Sequence, residues 1–298
     1  MKSFYSNGKV LLSGEYTVLS GSIAVGLPTK MGQEMLVENN LSKTIVWSSY
    51  NKDSVKWFEC ILDLKSLEII KTNDKKICLR LVKILEQCRF FNPNFLKSGK
   101  KIITNLNFDQ HWGLGTSSTL INNISGWAKI NPYALLKKTF GGSGYDIACA
   151  QNNTPIIFSL RSGKENVIPV DFNPDFKKNL FFIYQNKKQN TLDSIKGFED
   201  KKPLTKSIIK DISEICKSLI LAKSLDEFRE LMELHEKIIS YVLKTNPIKN
   251  NFKDYDGSLK SLGAWGGDFF LAAGPDDTLD YFKKRNFKIG YRYEDFIL

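Results

Sequence analysis

The chain has 298 residues, 42% hydrophobic and 25% charged, the balance of a globular protein with room for one large or two medium domains. No apolar run approaches the roughly 20 residues of a membrane span, and the N-terminus, Met1-Lys2-Ser3-Phe4-Tyr5-Ser6, enters a strand pattern without a signal-peptide core. The net charge of +11 suits anionic small molecules, while the lysines lack the aromatic interleaving of a nucleic-acid surface. The expected setting is therefore cytoplasmic, as a monomer or homodimer, with neither membrane nor nucleic acid as a partner. Five cysteines without a Cys-x-x-Cys pair read as buried reduced thiols, and two histidines are too few for a histidine-based metal centre.

In chain order, strands are expected at 9–12, 23–25, 33–37, 44–47 and 55–62, with turn signals at Asn39-Asn40 and at 48–53. Ile77, Leu81, Ile84, Leu85 and Cys88 form a helical stripe, and a strand follows at 101–106. Leu120, Ile121, Ile124, Trp127 and Ala128 mark the next helix. Asn131-Pro132 opens another that runs to about Phe140, with Asn as N-cap and Pro in the first turn. Residues 154–160 and 180–185 read as buried strands. Helices at 205–222 and 225–244 carry apolar faces suited to an antiparallel pair. A late strand at 268–273 and a short helix at 278–284 complete the pattern. Strands and helices mix without regular alternation, which argues α+β. The boundary between halves is expected at 171–175, giving domains 1–170 and 171–298.

Gly113-Leu114-Gly115-Thr116-Ser117-Ser118 stands immediately before the helix of Leu120. Glycines let backbone N–H groups approach an anion, and a helix N-terminus adds free N–H groups and a favourable dipole. The segment reads as a phosphate cradle or, more simply, as a capped turn. It lacks the Gly-Lys-Ser/Thr ending of a Walker loop. Three other segments accompany it: Gly8-Lys9-Val10-Leu11-Leu12-Ser13-Gly14-Glu15-Tyr16, Gly141-Gly142-Ser143-Gly144-Tyr145-Asp146-Ile147-Ala148, and Gly263-Ala264-Trp265-Gly266-Gly267-Asp268.

In this order and spacing, the segments resemble the GHMP kinases from about Gly8 to about Ala273. Gly-Glu-Tyr, Gly-Tyr-Asp-Ile-Ala and Gly-Gly-Asp look most like the phosphomevalonate kinase branch, with the mevalonate kinases second. The resemblance implies a two-domain α+β fold with a ferredoxin-like C-terminal domain and a reaction that moves phosphate from ATP to a small-molecule acceptor. It implies that Gly113, Leu114, Gly115, Thr116, Ser117 and Ser118 hold the ATP phosphates and that Ser117 coordinates Mg²⁺. Lys9 and Asp146 match the catalytic pair, the lysine orienting the acceptor and the carboxylate accepting a proton or orienting the lysine. Glu15, Tyr16, Ser143, Gly144, Lys188, Thr191, Gly266 and Gly267 align with acceptor-binding positions; for Glu15 a structural role stands equally beside that one. A non-catalytic nucleotide- or metabolite-binding relative is the alternative.

The chain departs from the family pattern in several places. Asn7 replaces a proline before Gly8-Lys9, and Asp109 replaces one before the cradle. Leu135 stands where some members carry a magnesium-site glutamate, so Mg²⁺ is expected to arrive with ATP and be held by phosphates, hydroxyls and water. Trp265 interrupts the late glycine run, where it could wall the acceptor pocket or obstruct it. Trp112 reads as core or adenine-side packing, and Asp268 as structural.

Overall fold

The computed structural model describes residues 1–187 and 204–298, and the chain divides into two compact units. The first contains Met1–Gly8, Met31–Gln110 and Leu114–Gln151; the second contains Lys9–Lys30, His111–Gly113 and Asn152–Leu298. This division differs from a single boundary near 171. Residues 9–30, 111–113 and 152–170 group with the C-terminal part, and the strands β1 (Lys2–Ser13) and β2 (Ala24–Asn39) each have residues in both units.

In the first unit, β2 is followed by β3 (Thr44–Tyr50), β4 (Lys56–Asp63), β5 (Ile69–Thr72) and β6 (Lys100–Leu106), in the sheet order β5-β4-β3-β6-β2. The β3–β6 pair is parallel, with Trp47 opposite Ile102, and the others are antiparallel. Alternate residues of β3 face inward, so Ile45 and Trp47 are fully buried. The helices α1 (Lys75–Phe91), α2 (Thr116–Ala128), α3 (Pro132–Thr139) and α4 (Tyr145–Gln151) lie in the same unit. The expected stripe of α1 is the buried one: Leu81, Ile84, Leu85 and Cys88 join Met35, Phe58, Ile121, Ile124 and Leu135 in one core. Asp74 caps α1 by accepting from Ile77 N at 3.0 Å, and Asn131 caps α3 by accepting from Tyr133 N and Ala134 N.

In the second unit, the first residues of β2 pair with β7 (Ile156–Arg161), which pairs with β8 (Lys164–Pro169). A separate antiparallel sheet has the order β10-β11-β9-β12, built from β9 (Leu180–Tyr184), β10 (Ser258–Ser261), β11 (Phe269–Ala273) and β12 (Gly290–Arg292). Phe181, Ile183, Phe270 and Ala272 from this sheet pack with Phe252 and Phe282. The unit's helices are α5 (Lys206–Leu221), α6 (Leu225–Leu243), α7 (Thr278–Lys283) and α8 (Tyr293–Phe296). Thr205 and Ser224 cap α5 and α6, and these two helices pack together as their apolar faces require. The class is α+β, as expected.

The expected strands at 23–25 and 33–37 are one strand. Pro28 falls between the β7 ladder, which ends at Gly26, and the β6 ladder, which begins at Gln33. All five cysteines are buried and free. No described helix is long and apolar enough to cross a membrane.

Candidate active site

In the first unit, the cradle forms the start of α2. Gly115 is the N-cap residue at φ 93°, a left-handed conformation suited to glycine, and no side chain caps the helix. The first-turn N–H groups of α2 are therefore left without a side-chain acceptor, the condition for an anion site. The three hydroxyls differ. Ser118 is buried and donates to Gly115 O at 2.9 Å, and Thr116 Oγ1 makes only a long contact of 3.5 Å to Gln110 O. Ser117 is exposed, which leaves its hydroxyl accessible to a ligand. Thr119, one residue further on, donates to Gly115 O at 2.9 Å and to Gln33 Oε1 at 3.0 Å, fixing the loop from below.

Asp146 lies in the first turn of α4, half-buried, with Ile147 N donating to its Oδ1 at 3.1 Å. Gly144 precedes it at φ 92°, and Ser143 Oγ accepts weakly from Tyr145 N at 3.5 Å. The helices α2 and α4 pack together, and Gln151 Nε2 donates to Asn122 Oδ1 across them at 2.9 Å. Their N-terminal residues, Ser117 and Asp146, thus belong to one helical layer. Leu135 is fully buried in the core, so no carboxylate stands at the position where some family members place one. Among the described residues no group of three or more His, Cys, Asp or Glu is placed to hold a metal ion.

In the second unit, Lys9 is half-buried on β1 between the buried Gly8 and Val10. Beyond the strand, Glu15 is 1% exposed, with Oε1 2.7 Å from Lys260 Nζ and Oε2 3.1 Å from His235 Nε2. Burial works against the charged carboxylate, but Lys260 and His235 outweigh it and hold Glu15 below the ordinary glutamate range. Burial, and then Lys260, push His235 down, so its imidazole is neutral. Gly14 N donates to Nε2 at 3.4 Å, and Nδ1 has no hydrogen-bond partner. Glu236 joins the network by accepting from Ser261 N at 2.9 Å and Ser261 Oγ at 2.8 Å, and burial pushes it up.

This network ties the turn after β1 to β10. The next residue extends the tie: Tyr16 OH donates to Ala264 O at 2.7 Å, in the late glycine segment. That segment is held again from β9, where Gln185 Nε2 donates to Gly267 O at 2.9 Å and Gln185 N to Asp268 O at 2.7 Å. Gly266 is exposed and Gly267 buried. The carboxylate of Asp268 lies over Gly113: a Cβ built there would sit 2.2 Å from Oδ2. Gly113, at φ 71°, is thus glycine for two separate reasons. Trp112 beside it belongs to an aromatic cluster with Tyr184, Phe269 and Tyr291, at centroid distances of 6.1, 6.0 and 5.9 Å.

The structure therefore joins Glu15 and Tyr16 to the late glycine segment within the second unit, and Gly115, Thr116, Ser117, Ser118, Ser143, Gly144 and Asp146 on adjacent helices of the first. Lys188 and Thr191 lie outside the described residues. Sequence reasoning missed Lys260, His235 and Glu236. A signal existed for His235, which falls on the buried α6 stripe between Met232 and Ile239.

No protein-family model matches the sequence, and no curated protein matches it. Solved structures do match along almost the whole chain. Phosphomevalonate kinase from Streptococcus pneumoniae, in complex with phosphomevalonate and AMPPNP, is 15% identical with a TM-score of 0.73, covering 98% of this chain and 100% of that one. The Methanococcus jannaschii mevalonate kinase is 17% identical with a TM-score of 0.72, over 97% and 96% of the two chains. Lactococcus lactis galactokinase complexed with galactose is 13% identical with a TM-score of 0.67, over 95% and 88%. The chain has the two-domain α+β fold of the GHMP kinases.

Proposed function

We propose that the chain is an ATP-dependent small-molecule kinase whose acceptor is phosphomevalonate, with mevalonate second. The observation that carries this reading is the uncapped, glycine-initiated start of α2 with Ser117 exposed, in a fold shared with kinases over nearly the full length. Phosphoryl transfer asks chiefly for positioning and for charge on the phosphates. The α2 N–H groups take the phosphates of ATP. The Ser117 hydroxyl fits a magnesium ion carried in with the nucleotide, and this ion supplies neutralisation of phosphate charge.

Lys9 orients the attacking oxygen of the acceptor. For a hydroxyl acceptor Asp146 accepts the proton; a phosphate acceptor is already anionic and needs only the orientation. On the side of Asp146, Ser143 and Gly144 border the acceptor. The burial and pairing of Glu15 support a structural role for it, behind Tyr16. Both branches remain named because structures of both kinds match the fold.

Calorimetric titration with Mg·ATP tests the nucleotide half: the wild type binds, and Gly115→Val, which puts a β-branched side chain on a left-handed residue, does not. Normal binding by that variant would remove α2 from the site. An ATP-consumption screen with mevalonate, phosphomevalonate and homoserine, with the product mass determined, tests the acceptor half.

A further inference from the structure

We infer that the second unit holds a further binding site, for a small organic monoanion with an apolar body, in the cavity bordered by α8 and the segment 169–177. The cavity has a volume of about 680 Å³, within the roughly 300–1,000 Å³ of small-molecule sites. Its whole lining belongs to the second unit, and none of the residues given a role in the proposed reaction takes part in it.

Bonds among the lining residues fix its shape. Tyr293 OH donates to Phe172 O at 2.7 Å, and the Phe172 ring stacks on Phe228 and meets Tyr293 edge-on, at centroid distances of 5.9 and 5.8 Å. Val170 N donates to Pro155 O at 2.8 Å, and Ile297 forms a bridge with Thr29. Phe172, Tyr293 and Ile297 bring buried apolar groups to the lining, while Pro169, Val170 and Leu298 keep accessible ones. A cavity formed in advance costs a ligand little ordering.

The charge comes from Lys177, which is half-buried and donates from Nζ to Asn173 Oδ1 at 2.7 Å. That partner is a neutral amide, and among the described residues no carboxylate forms an ion pair with Lys177. An ammonium has three N–H donors, so two remain for the oxygens of a ligand. Lys30 adds a second ammonium, tied to Glu294 O. Asp171 and Glu294 also line the cavity, and both are exposed. Their charges oppose a multiply charged anion such as a nucleotide. A single carboxylate suffers less repulsion, pairs with Lys177 and buries its body against the apolar lining.

Calorimetric titration of the whole chain with octanoate tests this, with acetate and octanol as controls that carry only the head or only the body. The expected result is one octanoate per chain, with acetate and octanol each at least about tenfold weaker. Lys177→Gln weakens octanoate about tenfold. Val170→Glu, which adds a negative charge to the lining, abolishes its binding; either folded variant suffices. AMPPNP does not displace octanoate. The inference is overturned by no octanoate binding, by acetate or octanol binding as tightly, by a folded variant that keeps full octanoate affinity, or by displacement with AMPPNP.

Discussion

Gly113 and Asp268 show how one residue's identity is set by another's side chain. With Oδ2 of Asp268 2.2 Å from where a Cβ would lie, Gly113→Ala must displace the carboxylate and also hold a φ of 71°. The two costs are separable. Gly113→Ala is expected to lower the melting temperature, and adding Asp268→Ala should recover part of the loss but not the share due to backbone conformation, about 1 kcal/mol. Thermal denaturation of both variants checks this; no recovery would mean that the side-chain clash is not what excludes alanine. At the proposed chemical centre, Asp146→Asn keeps size and shape but loses the charge. Turnover should fall about 10²–10⁴-fold with Mg·ATP affinity unchanged. Steady-state kinetics within threefold of wild type would refute the assigned role.

At the scale of elements, the turn after β1, β10 and α6 are joined by a buried polar network. Lys260, Glu15 and His235 are all fully buried. Removing one member of such a set strands the others, so Lys260→Met should destabilise the fold by about 3–5 kcal/mol, measurable by urea denaturation. Acidification works through His235. Its folded pKa lies below the unfolded value of about 6.5, so the unfolded chain takes up the proton first. Its contribution is present above that value and is lost as pH falls below it. Glu236, pushed up by burial, acts in the opposite sense at lower pH, so the comparison with a variant isolates the histidine. Between pH 7 and 5.5 the wild type should lose more stability than His235→Gln; equal losses would show the imidazole is not buried neutral.

These elements also mark where the sequence was readable. The α1, α2, α5 and α6 stripes, the Asp74 and Asn131 caps and the inward alternation of β3 follow from period and capping chemistry, which act locally. Short polar strands such as β8, Lys164–Pro169, and β10, with its buried Lys260, owe their form to partners distant in the chain. No local pattern announces that Lys260 will meet Glu15, 245 positions away.

For the whole molecule, four glycine-bearing segments in order sufficed to anticipate a fold that solved kinases share over almost all of this chain. The glycines of these segments serve backbone geometry, as Gly113, Gly115 and Gly144 do with positive φ. The acceptor was less legible. Identity of 13–17% leaves mevalonate, phosphomevalonate and galactose enzymes alike in fold. The central claim is the transfer of phosphate from ATP to phosphomevalonate. An acceptor phosphate met by one well-placed cation gains about 1.5–3 kcal/mol, which mevalonate cannot. Parallel measurement of kcat/KM for the two acceptors, with product masses, is the most direct test. The account predicts phosphomevalonate turnover with a preference of roughly 10–100-fold; turnover of mevalonate alone, or of neither, would contradict it.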